Sequence, residues 1–473
     1  MSRRIEEATA ACCDACAPPT RVTLERRTSG RVTAQGGSME RQLTLLSILL
    51  AGGFVGLALL ALLVRPSEHH ATWLPLHLLL AGAAPTAMAG VMPFFSAAVS
   101  GAAPAGWMVR LAGILGIAVG ALLVVAGWSW SSGVGSPGNV AATIGGAVYL
   151  AGLAAVAAAT LLPLRAALGP RRIFMGAIYG LALVNVMLGA SLSTLFVAGW
   201  TPVLGNWAAL KPAHAWLNVF GFLSLVIAGS LLHLLPTVVG ARIRRTAASI
   251  AAFVGLAAGP MLVALGFGLR SDVLAISGAT TVIAGAGGLA WHAGTVMRAR
   301  ARWSTDRSWH RFTGWSLVGG IAWFLLGTSL AVGQVLGAGA TAAGWQLAPL
   351  TAPLAIGWAG QVLVGSWSHL VPAVGPGSSD QHARQRRLLG RAAEARLVLL
   401  NGGVAALALA APLGQPMLVP LGLLAAGTAG LAAVVLLGAA GWQVVGGQVP
   451  QAGRPRSPSA AISGRTSADV RRS

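Results

Sequence analysis

The sequence predicts an all-α polytopic membrane protein of about twelve transmembrane helices, built as three four-helix repeats in a pseudo-threefold bundle. Three observations predict it. Hydrophobic residues make up 55% of the chain and charged residues only 9%, where a soluble domain carries roughly a quarter charged. The apolar runs are too long and too numerous for buried helices of a soluble core. Finally, an eight-residue pattern, GSxxHLxP, occurs at 229–236 and again at 365–372.

Residues 1–40 are polar and Arg-rich without apolar periodicity, which reads as a disordered cytoplasmic tail. They lack the apolar stretch of a secretory signal. Cys12, Cys13 and Cys16, the three cysteines of the chain, all fall here. They offer no disulfide framework, and CCDAC, with no second cluster, is a weak zinc pattern set against a bland tail. Met39 directly precedes the first apolar run and is a candidate for the true start codon, with the residues before it a mis-called start. Residues 41–443 form the transmembrane domain, and 444–473, rich in Ser, Pro and Arg, read as a second disordered cytoplasmic tail.

The twelve expected spans lie near 43–64, 73–98, 111–130, 139–163, 173–199, 213–239, 246–268, 272–297, 312–337, 348–373, 393–412 and 417–442. Alternate loops differ sharply in charge. One set holds Arg165, Arg171, Arg172, Arg242, Arg244, Arg245, Arg298, Arg300, Arg302, Arg307, Arg311, Arg384, Arg386, Arg387 and Arg391. The other set holds Arg65, Lys211 and Arg270. The positive-inside rule then places both termini in the cytoplasm, with the chain in the plasma membrane. A formal charge of +21 would point a soluble chain toward nucleic acid; here the charges sit in short loops, and no nucleic-acid partner is expected.

The GSxxHLxP copies are offset by 136 residues, and Gly221 and Gly357 keep that offset. Span 2 carries a weaker copy, in which Gly82 and Gly90 match Gly221 and Gly229 and Phe94 takes the histidine position. A period of four spans predicts equivalent spans 2, 6 and 10. Glycines eight apart allow close helix contact where lipid offers no hydrophobic drive.

No Asp or Glu stands in the middle of a span; Asp272 and Glu394 sit near span ends. The intramembrane polar inventory is led by His77, His214, His233, His292 and His369, with Asn185, Asn218, Gln334, Gln361, Tyr149 and Tyr179. Spans 2, 6 and 10 run from outside to inside, so His77 and His214 lie near the outer face, and His233 and His369 near the inner face. His214 and His233 are 19 residues apart, about 28 Å along a helix, which rules out one shared mononuclear site. Two pairings across helices follow, His77 with His214 and His233 with His369. Neutral imidazoles from facing helices ligate haem iron or copper; equally, histidines before Leu-x-Pro near a helix end cap carbonyls at the interface. His77 and His214 are the leading metal ligands, with His233 and His369 as further cofactor-binding residues. Asn218, one turn from His214, and Gln361, on the His369 face, are candidates to support those rings from behind or to join helices. His292 reads as interfacial, and His310 as a loop residue.

His77 with the following LLLAGAAPTAMAGVMPFF, HAWLNVFGFLSLVIAGSLLHLLP in span 6 and GWAGQVLVGSWSHLVP in span 10 resemble the NnrS family. That resemblance extends over about residues 43–442. It implies a membrane protein containing haem and copper, with a role in nitric oxide or nitrosative stress and contacts to respiratory-chain or nitrogen-oxide metabolism proteins. A more distant similarity is to subunit I of the haem-copper oxidases, which has twelve helices in pseudo-threefold symmetry and in which His77 would correspond to a low-spin haem ligand. Span 7 lacks that family's histidine pair, span 10 has one histidine where that family has two, and span 6 lacks its crosslinking tyrosine. An oxygen-reducing centre is therefore not expected, and no motif assigns a catalysed reaction. The competing expectation is a transporter or permease with a histidine-lined pathway, against which the missing carboxylates count.

Overall fold

The computed structural model describes residues 34–64, 73–165, 170–243, 246–305, 309–374 and 378–446. The cysteine-bearing tail, the loop with Arg65, Arg244, Arg245, Arg307 and most of the C-terminal tail lie outside them. Every regular element among the described residues is a helix. Twelve of these are long and apolar enough to cross a membrane: Gln42–Leu62, Trp73–Ser100, Trp107–Ser129, Pro137–Arg165, Ile173–Val197, Trp207–Val239, Ala247–Leu269, Asp272–Arg298, Trp309–Ala338, Ala348–Ala373, Ala393–Ala410 and Leu418–Trp442. They are called spans 1 to 12. The first helix begins at Ala34, inside the stretch that the sequence assigns to the tail. Span 6 starts at Trp207, earlier than expected, because its helix carries Pro212 within it. Span 3 starts at Trp107, which brings Arg110 into the helix, where it is buried.

The chain divides into two compact units, Met1–Ile173 and Phe174–Ser473. In the first, the two glycines of span 2 each receive a side chain of span 1: a Cβ at Gly82 would overlap the Phe54 ring, and one at Gly90 the Ser47 side chain. The second unit makes the same contact twice. Gly221 and Gly229 of span 6 receive Asn185 and Ile178 of span 5, and Gly357 and Gly365 of span 10 receive Trp323 and Ser316 of span 9. In each case glycines eight apart take side chains seven apart on an antiparallel neighbour. The third and fourth spans of each set pack backbone to backbone through glycines, Gly116 on Gly152, Gly255 on Gly285 and Gly403 on Gly422. Small residues let helices approach closely enough for dispersion to hold them together in lipid.

Spans 2, 6 and 10 share a second feature. Each contains a stretch of wider π-helix: Leu78–Ala83, Trp216–Ser224 and Ala352–Gly360. The last two begin 136 residues apart, the offset of the sequence motif. Each stretch holds the first glycine of its pair, so the helix is widest where the neighbouring side chain enters. π-Helix is rare and concentrates at functional sites.

The prolines that follow do not end these helices. Span 6 runs past Pro236 to Val239, and Gly240, at φ 69°, closes it; only a glycine adopts that left-handed geometry without strain. A proline has no N–H, so the carbonyl four residues earlier loses its helical donor. Aromatic side chains take up two of these carbonyls. Tyr149 Oη donates to Ala81 O, freed by Pro85, at 3.1 Å, and Trp309 Nε1 donates to Ser368 O, freed by Pro372, at 2.6 Å.

Between spans 10 and 11 lies a short helix absent from the sequence-based expectation, Ser379–Leu389. Its first turn is closed by a capping box between Ser378 and Gln381. Leu389 packs with Trp309 and Ala440, and Gln385 Nε2 donates to Ala440 O at 3.1 Å. Arg396 of span 11 bonds the carbonyls of Leu389 and Arg391, closing the helix from below. In the second unit span 6 is the interior helix: 78% of its most apolar window is buried, against 22% for span 12.

Candidate functional site

The candidate site residues sit on the two buried seams of the second unit and at the head of span 2. His214 lies two residues before the π segment of span 6. Its Nδ1 is 2.8 Å from Gly189 O of span 5. A carbonyl only accepts, so Nδ1 carries the proton and Nε2 is left as the lone-pair nitrogen. Asn218, one turn on, donates from Nδ2 to His214 O at 2.7 Å and fills the space where Gly189 has no side chain. Asn218 therefore holds the His214 main chain, while Gly189 sets the tautomer. Trp207 flanks the ring at 6.1 Å and is itself stacked on Phe196.

His77 repeats this arrangement in the first unit. It stands immediately before the π segment of span 2, with Nδ1 2.9 Å from Trp73 O and its ring stacked on Trp73 at 4.3 Å. Again the carbonyl demands a proton on Nδ1 and leaves Nε2 as acceptor. Holding Nδ1–H on a carbonyl is the usual way a protein orients an imidazole for a metal.

Below His214 the seam between spans 5 and 6 stays polar. Asn185 is fully buried against Gly221; its Nδ2 donates to Leu181 O at 2.8 Å, and its Oδ1 has no partner. A buried aromatic series runs across spans 6, 9 and 10. Trp216 stacks on Phe220 at 4.4 Å, Phe220 approaches Phe324 at 6.5 Å, and Phe324 stacks on Trp358 at 4.5 Å. Trp358 Nε1 then donates to Ser224 Oγ at 3.1 Å, tying span 10 back to span 6. Gln361 follows the π segment of span 10. It is fully buried, neither amide atom has a partner, and it sits on Gly319 beside Asn401, which accepts from Trp323 Nε1 at 2.8 Å.

His233 and His369 are surrounded differently. His369 is buried and stacked on Trp309, with ring centroids 5.3 Å apart and planes 10° from parallel; its Nδ1 has no partner. Arg386 of the Ser379–Leu389 helix lies over the same indole at 5.7 Å. The histidine in electrostatic reach of His369 is His310, which adjoins Trp309. His233 lies beside Phe174, at 6.2 Å, and within reach of His292 of span 8. His292 is 3% exposed and neither of its ring nitrogens has a partner. Neither His233 nor His369 closes a helix end.

The sequence reads His292 as interfacial and gives no sign of the Trp309–His369 stack. Asn185 was legible only as one polar residue among several. Trp216, Trp309 and Trp358 are buried, while Trp200, Trp291 and Trp442 are exposed as an interfacial belt requires. Among the described residues, no group of three or more His, Cys, Asp or Glu side chains converges closely enough to hold a metal ion. No protein-family model matches the chain, and no curated protein does.

Proposed function

We propose that the chain is an integral membrane protein that binds haem, copper or both through His77, His214, His233 and His369, and serves nitric oxide or nitrosative-stress responses or accessory respiratory redox chemistry. One observation carries this reading: His77 and His214 each have Nδ1 held on a backbone carbonyl at the head of a π segment, which leaves Nε2 as the lone-pair nitrogen. A bound haem iron or copper would supply a centre that changes oxidation state and takes a diatomic ligand. The chain's own contribution is orientation: Gly189 and Trp73 fix the tautomers, and Asn218 holds the main chain of His214. The thrice-repeated glycine contact and π segment support three four-helix repeats in a pseudo-threefold bundle. The arginine distribution supports a plasma-membrane location with both termini cytoplasmic.

The test is an absorption spectrum with metal analysis of protein purified from haem- and copper-replete cells, recorded before and after reduction. A Soret band or stoichiometric copper in the wild type, lost or displaced in His77→Leu and His214→Leu, is the expected result. Absence of both from folded wild-type protein overturns the reading.

A second reading, a permease, draws on the unpartnered Asn185 Oδ1 and Gln361 amide, which give the buried seams a polar character without a carboxylate. Substrate uptake by proteoliposomes of cofactor-free protein would favour it.

A further inference from the structure

The inner ends of spans 6 and 8 hold two histidines at one depth. His233 is six residues before Val239, the last helical residue of span 6, and His292 is six residues before Arg298, the last of span 8. Spans 6 and 8 are separated by one span and so run in the same direction through the membrane. Their ends are tied: Ala301 N, just beyond span 8, donates to Val239 O at 2.9 Å. The helices pack against one another above that tie. Two residues equally far from a shared end, about 9 Å along each axis, therefore lie level, and the two rings are within electrostatic reach.

The chemistry of this pair is unusual for a packed interior. His292 is 3% exposed, yet neither Nδ1 nor Nε2 finds a protein partner. A buried polar atom left without a partner is costly, so this ring calls for a ligand. The main-chain carbonyl of His292 accepts from Thr295 Oγ1 at 2.7 Å, and that of His233 from Thr237 Oγ1 at 2.8 Å, so both backbones are already satisfied. The outer side of His233 is apolar, where Phe174 packs on Phe253 at 5.5 Å.

We infer that His233 and His292 form a binding site for a monovalent copper ion, held between one nitrogen of each ring. The choice of ion follows from what the site lacks. No Asp or Glu stands in the middle of any span, and no third ligand joins the pair among the described residues. A site of two neutral imidazoles keeps the full charge of its ion, and the cost of burying an ion grows with the square of that charge, roughly fourfold from one to two. Zinc also demands four ligands. Cu(I) is a closed-shell ion that accepts two nitrogen ligands in a line, and imidazole suits it. Binding is a simple association with no change of oxidation state, and it needs both rings neutral. The inference shares only His233 with the function proposed above, and it replaces His369 by His292 as the partner of that residue.

The experiment uses the full chain in detergent under anaerobic conditions, loaded with Cu(I) and challenged with a chromophoric Cu(I) chelator, with a haem spectrum taken on each sample. Wild-type protein should retain one chelator-resistant Cu(I) that His292→Leu and His233→Leu lose, with affinity lower on the order of a hundredfold. His292→Met, of similar size and with a soft sulfur, should retain the ion, which separates lost ligation from lost packing. X-ray absorption of loaded wild type should show two nitrogen neighbours and no sulfur. Copper retention that is absent in wild type, or equal in wild type and both leucine variants, overturns the inference, as does a spectrum with three or more ligands. A missing Soret band with this copper intact would defeat the haem reading alone.

Discussion

Replacing Gly189 with alanine puts a methyl group where the Asn218 amide now sits. The added Cβ would stand 2.5 Å from Asn218 Nδ2 and 2.8 Å from its Cγ and Oδ1. Carbon contacts are most favourable near 3.5–4.0 Å, so the amide has to retreat by about 1 Å. Overpacking of that size costs about 1–3 kcal/mol. The retreat also breaks the 2.7 Å bond from Asn218 to His214 O one turn back on span 6, worth about 1 kcal/mol. Alanine's better helix propensity returns up to about 1 kcal/mol. Overpacking wins, and the expected net loss is about 1–3 kcal/mol. Unfolding of the purified protein in mixed micelles, titrated with a denaturing detergent and followed by tryptophan emission, measures it. Asn218→Ala removes the obstacle, so the double variant should be more stable than the sum of the single losses by about 1–2 kcal/mol. Two additive losses, or a neutral Gly189→Ala, would show that span 5 does not approach span 6 as described.

Other outcomes follow from the same contacts. Gly221→Ala, directed at buried Asn185, should destabilise by a similar amount, whereas Gly294→Ala, with nothing near its Cβ, should leave the unfolding midpoint unchanged or raise it. Tyr149→Phe removes the hydroxyl that donates to Ala81 O and should cost about 1 kcal/mol, with faster amide exchange around the π segment of span 2. Ser224→Ala leaves the Trp358 indole N–H buried without an acceptor and should cost about 1–3 kcal/mol in the same unfolding assay. Glu394→Gln breaks an ion pair with Arg311 that is largely exposed, and its effect should stay below about 1 kcal/mol and vanish in high salt. In a variant without Cys12, Cys13 and Cys16, a cysteine at Ser379 should react with a membrane-impermeant maleimide only in inside-out vesicles; labelling of intact cells would reverse the topology.

Two features near the candidate site show where sequence reasoning stops. The capping box Ser378–Gln381 was readable as a helix start, but RQRR within a charged loop masked it. His292 sat in AWHAG near a span end and matched the pattern of an interfacial residue; only packing shows that its ring is enclosed. The prolines behave similarly. In sequence, Pro236 and Pro372 mark helix ends, yet both lie inside their helices, since Trp309 of span 9 supplies a replacement donor to Ser368 O of span 10 and Gly240 closes span 6.

The sequence alone determined the class, the number of spans and the position of each histidine along its span. These depend on local quantities: apolar length against bilayer thickness, charge in short loops, and the rise of a helix. It also determined which glycines recur as pairs eight apart, 82 and 90, 221 and 229, and 357 and 365. The tertiary structure alone decided what fills the space each glycine leaves: Phe54 and Ser47, Asn185 and Ile178, Trp323 and Ser316. It decided the tautomer of His214, through a carbonyl 25 residues away in sequence, and the neighbour of His233 on span 8. Depth follows from position along one helix, whereas a partner depends on the rotation of two helices about their axes, and only close packing sets that rotation.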